Sequence, residues 1–308
     1  MNCIYYRNSF TEFSKVDFYM KIKLFYLTLF FSIYSYSQNN TDIYLFDLII
    51  GDSIIVVNNP IDISGNNKGY DNQPSFLNDN SGVLFSSTRN DQTDIALYEI
   101  KNNTKSWLTS TDANEYSPIQ TPNKKYFSAV RLEKNGKQLL WKYSFNKKKQ
   151  RILINSLKVG YHAWFNKKMI VSFVVGDPPS LVVSNLKYKI KYPIDKKIGR
   201  SIVKIPNTEL MSIISLEHGE PEIYSIDPLN SEKKYIADPL EGAQDFTWTP
   251  GGTLIMGKKD KLYKLKPGVD KTWIEFASLK PYGLTGITRL AISPFGDKIA
   301  IVVDEVTE

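Results

Sequence analysis

The chain has 308 residues, of which 42% are apolar and 23% charged, with a formal net charge of +7, one cysteine and two histidines. This is an ordinary globular balance with enough apolar material for a core, while Cys3 alone excludes an intrachain disulfide and the few Cys and His side chains exclude a structural zinc set. The positive charges read as scattered, and the densest run, Lys147-Lys148-Lys149, lies between two strand-like segments as a solvated turn, so no nucleic-acid stripe is expected.

The first segment reads as an address. Met20-Lys21-Ile22-Lys23 is a short basic start, residues 24–34 form an apolar run, and Ser35-Tyr36-Ser37-Gln38 supplies small residues at a cleavage site near Ser37. The run of 11 residues is short beside the roughly 20 that span a bilayer as a helix. The expectation is therefore a signal peptide over 20–37 and a periplasmic or secreted mature chain. Residues 1–19 then read as a mis-called extension, with Met20 as the true start. No cysteine follows the apolar run, so a lipoprotein signal is not expected.

From residue 38 onward the chain reads as one repeat. A short apolar strand, a turn rich in Pro, Asn, Asp and Gly, and a second apolar strand recur with anchors at positions 74, 118, 162, 202, 246 and 290, at intervals of 44, 44, 40, 44 and 44. Independent hairpins have no reason to keep such a period, whereas stacked units do. A second strand pair follows the anchors: 94–100 with 105–109, 138–145 with 150–155, 180–184 with 187–192, 222–227 with 233–237, and 261–266 with 272–276. Four strands in about 42 residues make one propeller blade. The sixth anchor lacks its second pair, and segments 42–48 and 53–57 supply it from the other end. The expected fold is all-β, a six-bladed β-propeller over 38–308 closed by pairing N-terminal with C-terminal strands, which removes open sheet edges.

The anchor has a family likeness. Pro74-Ser75-Phe76, Asn78-Asp79-Asn80-Ser81-Gly82, Phe85-Ser86-Ser87-Thr88-Arg89, Asp94-Ile95-Ala96-Leu97-Tyr98 and Leu108-Thr109 together resemble the TolB-like propeller repeat. Glu115-Tyr116-Ser117-Pro118 and the stretch from Ile292 through Asp297 to Ala300 are similar to it as well. The resemblance covers about residues 42–305 and implies a non-catalytic envelope-facing interaction module with a protein or polysaccharide partner. TolB carries an α/β domain before its propeller, for which there is no room between Gln38 and Asp42.

Catalytic motifs are weak. Gly51-Asp52-Ser53-Ile54 looks like the nucleophile block of GDSL-type esterases, but neither His162 nor His218 sits in the D-x-x-H such an enzyme needs, and a hairpin turn accounts for it. No G-x-S-x-G, G-x-G-x-x-G or P-loop occurs, so no cofactor is expected. The mouth of a propeller channel is lined by residues just ahead of each innermost strand. Reading there gives Gln73, Glu115, Ser117, Tyr161, His162, Arg200, Asp245 and Arg289 as binding candidates, with Asn72, Ser201 and Gln244 adjoining. The enzyme alternative is a lyase, lactonase or hydrolase on a sugar or lactone, working through His162, Glu115 and Asp245. Glu115 and Asp245 are the only acids of this ring, which is thin for a calcium site.

Overall fold

The computed structural model describes residues 40–51, 54–65 and 67–305. The signal-peptide reading over 20–37 and the extension over 1–19 lie outside the described residues. Six four-stranded antiparallel sheets form the blades of a propeller. Blade 1 is β3 (Asp71–Phe76), β4 (Gly82–Arg89), β5 (Gln92–Glu99) and β6 (Thr104–Trp107). Blade 2 is β7 (Asn114–Gln120), β8 (Tyr126–Leu132), β9 (Gln138–Ser144) and β10 (Gln150–Ile154). Blade 3 is β11 (Val159–Asn166), β12 (Met169–Val174), β13 (Ser180–Asn185) and β14 (Ile190–Lys196), and blade 4 is β15 (Ile198–Lys204), β16 (Met211–Ser215), β17 (Glu222–Ile226) and β18 (Lys233–Ala237). Blade 5 is β19 (Phe246–Trp248), β20 (Leu254–Lys258), β21 (Lys261–Leu265) and β22 (Ile274–Ser278). Every repeat anchor falls on or at the start of a first strand.

Blade 6 is built from both ends of the chain. Its order is β23 (Arg289–Ile292), β24 (Lys298–Asp304), β1 (Thr41–Ile50) and β2 (Ile55–Asp62). β1 pairs with β24 in continuous register from Thr41 opposite Asp304 to Asp47 opposite Lys298, and Lys298 Nζ closes the seam on the Asp47 carboxylate. The turn at Gly51 is a hairpin, with Gly51 N donating to Ile54 O at 2.9 Å. Asp52 and Ser53 themselves lie outside the described residues.

Hydrophobic packing runs between blades rather than within one centre. Six clusters of buried side chains each join two neighbouring blades, and the cluster of Ile43, Leu45, Val83, Phe85, Ala300 and Val302 joins the last blade to the first. Second strands are buried on both faces, as in β4 and β24. Fourth strands have one open side, and β10 is exposed over Gln150, Arg151 and Ile152. One expected strand shifts: 187–192 becomes β14 at Ile190–Lys196, because Asn185 Oδ1 accepts from Lys187 N at 3.1 Å and holds the following residues as a turn. Pro193 is tolerated there because β14 is an outer edge. Among the described residues no helix is long and apolar enough to cross a membrane.

Candidate functional site

The first strands of blades 1 and 2 break their ladders where Pro74 and Pro118 have no N–H to give. The register slips between Asn72 and Ser75 and between Tyr116 and Ile119, and Gln73 and Ser117 take left-handed φ values of 58° and 52°. Such bulges re-aim side chains. Here Gln73 Oε1 accepts from Ser117 N at 2.7 Å and from Ser86 Oγ at 2.8 Å, while Ser75 Oγ donates to Pro118 O at 2.6 Å. The two blades are thus laced together at the channel.

On the other side a charged chain spans four blades. Arg200 Nε donates to Asp245 Oδ2 at 2.7 Å, and Arg289 Nη1 stands 3.5 Å from Asp245 Oδ1. Arg289 Nη2 donates to Tyr161 OH at 3.0 Å, with its guanidinium 5.0 Å from the Tyr161 ring centre. Arg200 Nη2 also reaches Thr288 O at 3.3 Å. Blades 3 and 6 face each other in a ring of six, so the Arg289–Tyr161 bond bars the channel. Burial works to lower the Arg289 pKa, but Asp245, Tyr161 and Tyr70 hold it above its ordinary value. Tyr70 carries no repeat signal, yet it stands close enough to this cluster to feel both arginines, while burial raises its own pKa.

A cavity of about 150 Å³ opens over this network, and Gln73, Ser117, Tyr161, His162, Arg200, Asp245 and Arg289 all line it, together with Ser201. Glu115 does not. It is fully buried between blades 1 and 2, where Oε1 accepts from Thr111 Oγ1 at 2.7 Å and from Tyr143 OH at 3.3 Å, with Arg131 Nε at 3.8 Å. Alternation along β7 explains the displacement, since Glu115 and Ser117 are separated by a bulge that breaks the two-residue period. Burial pushes the Glu115 carboxyl up to about 7, against the opposing pull of Thr111.

His162 is held inward. Its Nε2 lies 2.7 Å from Ser128 Oγ, which also accepts from Trp164 Nε1 at 2.9 Å, and burial lowers the imidazole to about 3. The ring is neutral at physiological pH and a weak base. Two of the lining side chains each keep a buried polar atom without a protein partner, Ser117 Oγ and His162 Nδ1. Buried polar atoms of this kind call for a hydrogen-bonding group from outside the fold. Among the described residues no three His, Cys, Asp or Glu side chains are grouped to hold a metal ion. At the cavity itself, a cation would meet two guanidiniums and a carboxylate already bonded to both.

No family model matches the sequence, and no curated protein matches it. Solved structures do. A candidate TolB from Agrobacterium tumefaciens superposes with a TM-score of 0.64 at 12% identity, covering 88% of this chain and 100% of that one. A propeller in a nidogen/laminin complex gives 0.62 at 8% identity, over 82% and 97%. An oligogalacturonate lyase in complex with manganese gives 0.53 at 13% identity, over 88% and 80%. The fold is that of the TolB-like propeller. At these identities the likeness is one of fold.

Proposed function

We propose that this chain is an exported, non-catalytic binding propeller of the cell envelope, whose channel mouth receives a carboxylate-bearing segment of a protein or polysaccharide. The observation that carries this reading is the pair of guanidiniums, Arg200 and Arg289, sharing the single carboxylate of Asp245. The cavity therefore holds a net positive charge beside two unsatisfied polar atoms, a donor set that suits a planar anion. The basic and apolar pattern over residues 20–37 supports export.

The similarity to an oligogalacturonate lyase favours a second reading, catalysis on an acidic sugar. Its expected working groups are not assembled here: Glu115 is sealed between blades, Asp245 is bonded to two arginines, and His162 is a weak base. Titration calorimetry with oligogalacturonate, muropeptides and peptides ending in a free carboxylate, run beside an assay for unsaturated product, separates the two readings. Saturable binding without turnover is expected, and Arg289→Lys weakens it about tenfold or more, because a point charge does not reproduce the planar fork. Release of unsaturated sugar would establish the lyase instead.

A further inference from the structure

The propeller has a second distinctive face, opposite the channel mouth. The turns joining first to second and third to fourth strands lie together at one end of every antiparallel sheet, opposite the end where the channel residues enter. In blades 2 and 3 these four turns carry Lys124 and Lys125, Lys147 to Lys149, Lys167 and Lys168, and Lys187 and Lys189, with no acidic residue among them. Each turn is shaped by an asparagine whose Oδ1 accepts a backbone N–H two residues on: Asn123 from Lys125, Asn146 from Lys148, Asn166 from Lys168 and Asn185 from Lys187, at 2.8–3.2 Å. The side chains of Lys147, Lys148, Lys149, Lys167, Lys168, Lys187 and Lys189 are exposed. The positive charge is concentrated both in one segment of the chain and on this face. Residues 134–194 hold thirteen Lys and Arg against Asp177 alone, a net +12, which leaves −5 on the rest because the whole is +7.

The same face carries a second, independent feature. Five large apolar side chains are between 62% and 70% exposed: Ile54, Tyr188, Leu229, Val269 and Phe295, and among the described residues no other exceeds 57%. All five sit in turns of this one end, distributed over blades 3 to 6. Tyr188 lies among the lysines, with Lys187 Nζ 4.9 Å from its ring centre. Scattered exposure of single apolar residues is common; gathering of the five most exposed on the face that also carries the nine lysines is not.

We propose that this face is a peripheral docking surface for an anionic phospholipid bilayer. The turn tips of this one face present both exposed ammonium groups and exposed apolar caps. Lysines near an anionic leaflet are attracted electrostatically, and Tyr, Phe, Leu and Ile tips insert at headgroup depth. Glu209, Asp227 and Glu232 in the turns of blade 4, Asp270 in blade 5, Asp297 in blade 6 and Asp79 in blade 1 keep the charge on blades 2 and 3, so that side leads the contact. The channel mouth then faces away from the lipid, open to its ligand. The inference stands whether or not the channel reading holds.

All six sheets lie within residues 41–304, so residues 39–308 can be made without the apolar run at 24–34, which would confound a lipid assay. The test is flotation with vesicles of phosphatidylcholine containing about 30% phosphatidylglycerol, against phosphatidylcholine alone. Binding to the anionic vesicles only is expected, with loss at high salt. The triple change Lys147→Gln, Lys148→Gln and Lys149→Gln weakens partition about a hundredfold, and the corresponding Lys→Arg triple retains it. Phe295→Trp adds a positive readout that does not depend on loss of binding: its emission shifts to the blue and is quenched by brominated lipid. Equal binding to neutral and anionic vesicles, an absence of quenching in the Phe295→Trp variant, or binding to heparin or DNA with none to vesicles overturns the proposal.

Discussion

Two polar clusters built from the same residue types have opposite fates in this propeller. At the channel mouth, Arg200, Asp245, Arg289 and Tyr161 form a chain beside a cavity, so its charges remain available to a ligand. Between blades 1 and 2, Glu115, Arg131 and Tyr143 form a similar chain, but all three are buried and burial lifts the carboxyl to about 7. A third cluster at the seam between blades 6 and 1 belongs with the second: Lys105 Nζ donates to Ser64 O at 2.6 Å and to Ser87 Oγ at 3.0 Å and lies 3.5 Å from the buried Asp71 carboxylate. Desolvation raises the Asp71 pKa and lowers that of Lys105. Enclosure, rather than residue type, separates a clamp from a binding site.

The largest expected effect tests the enclosed side. Lys105→Met leaves Asp71 without its cation at the closing seam and costs about 3 kcal/mol in denaturant unfolding, as expected for a broken buried pair. A loss below about 1 kcal/mol would mean that the seam is wetter than its geometry indicates.

Glu115→Gln gives a smaller, pH-dependent effect. The unfolded carboxyl releases its proton near pH 4.5 and the folded one near 7, so stability declines as pH rises through that window and stays lower above it. The substitution raises stability by about 2 kcal/mol at about pH 8 and changes little at about pH 4, read from unfolding curves at both. An equal effect at the two pH values would place Glu115 in solvent contact.

His162 sharpens the comparison from the channel side. Its folded pKa is about 3 against 6.5 unfolded, so its contribution is complete above pH 6.5 and is lost as pH falls toward 3. At about pH 5.5 the loss is about 1 kcal/mol, and His162→Gln removes this acid branch while leaving the neutral-pH melting temperature nearly unchanged. A ligand affinity that follows the same pH branch would instead mean that His162 protonates in the bound state.

The repeat period, the blade count and the closure were legible in the chain, because each blade must present a two-sided apolar strand and a turn at fixed spacing to pack on its neighbours. Sequence position also placed seven of eight candidates on one cavity, since each follows from its offset to a first strand. Four things were decided only by the tertiary structure. Glu115 left the channel because a bulge at Ser117 broke the alternation of β7. Tyr70 joined it through the closing seam, where Thr41 bridges Tyr70 across 29 residues of sequence. The Arg289–Tyr161 bond joins residues 128 apart in the chain that the ring sets face to face. The lysines in the turns of blades 2 and 3 gathered on one face because antiparallel strands return every second turn to the same end. Local pattern fixes which segments pair and pack; which charges meet, and which are shut away from water, depends on distances that only the closed ring sets.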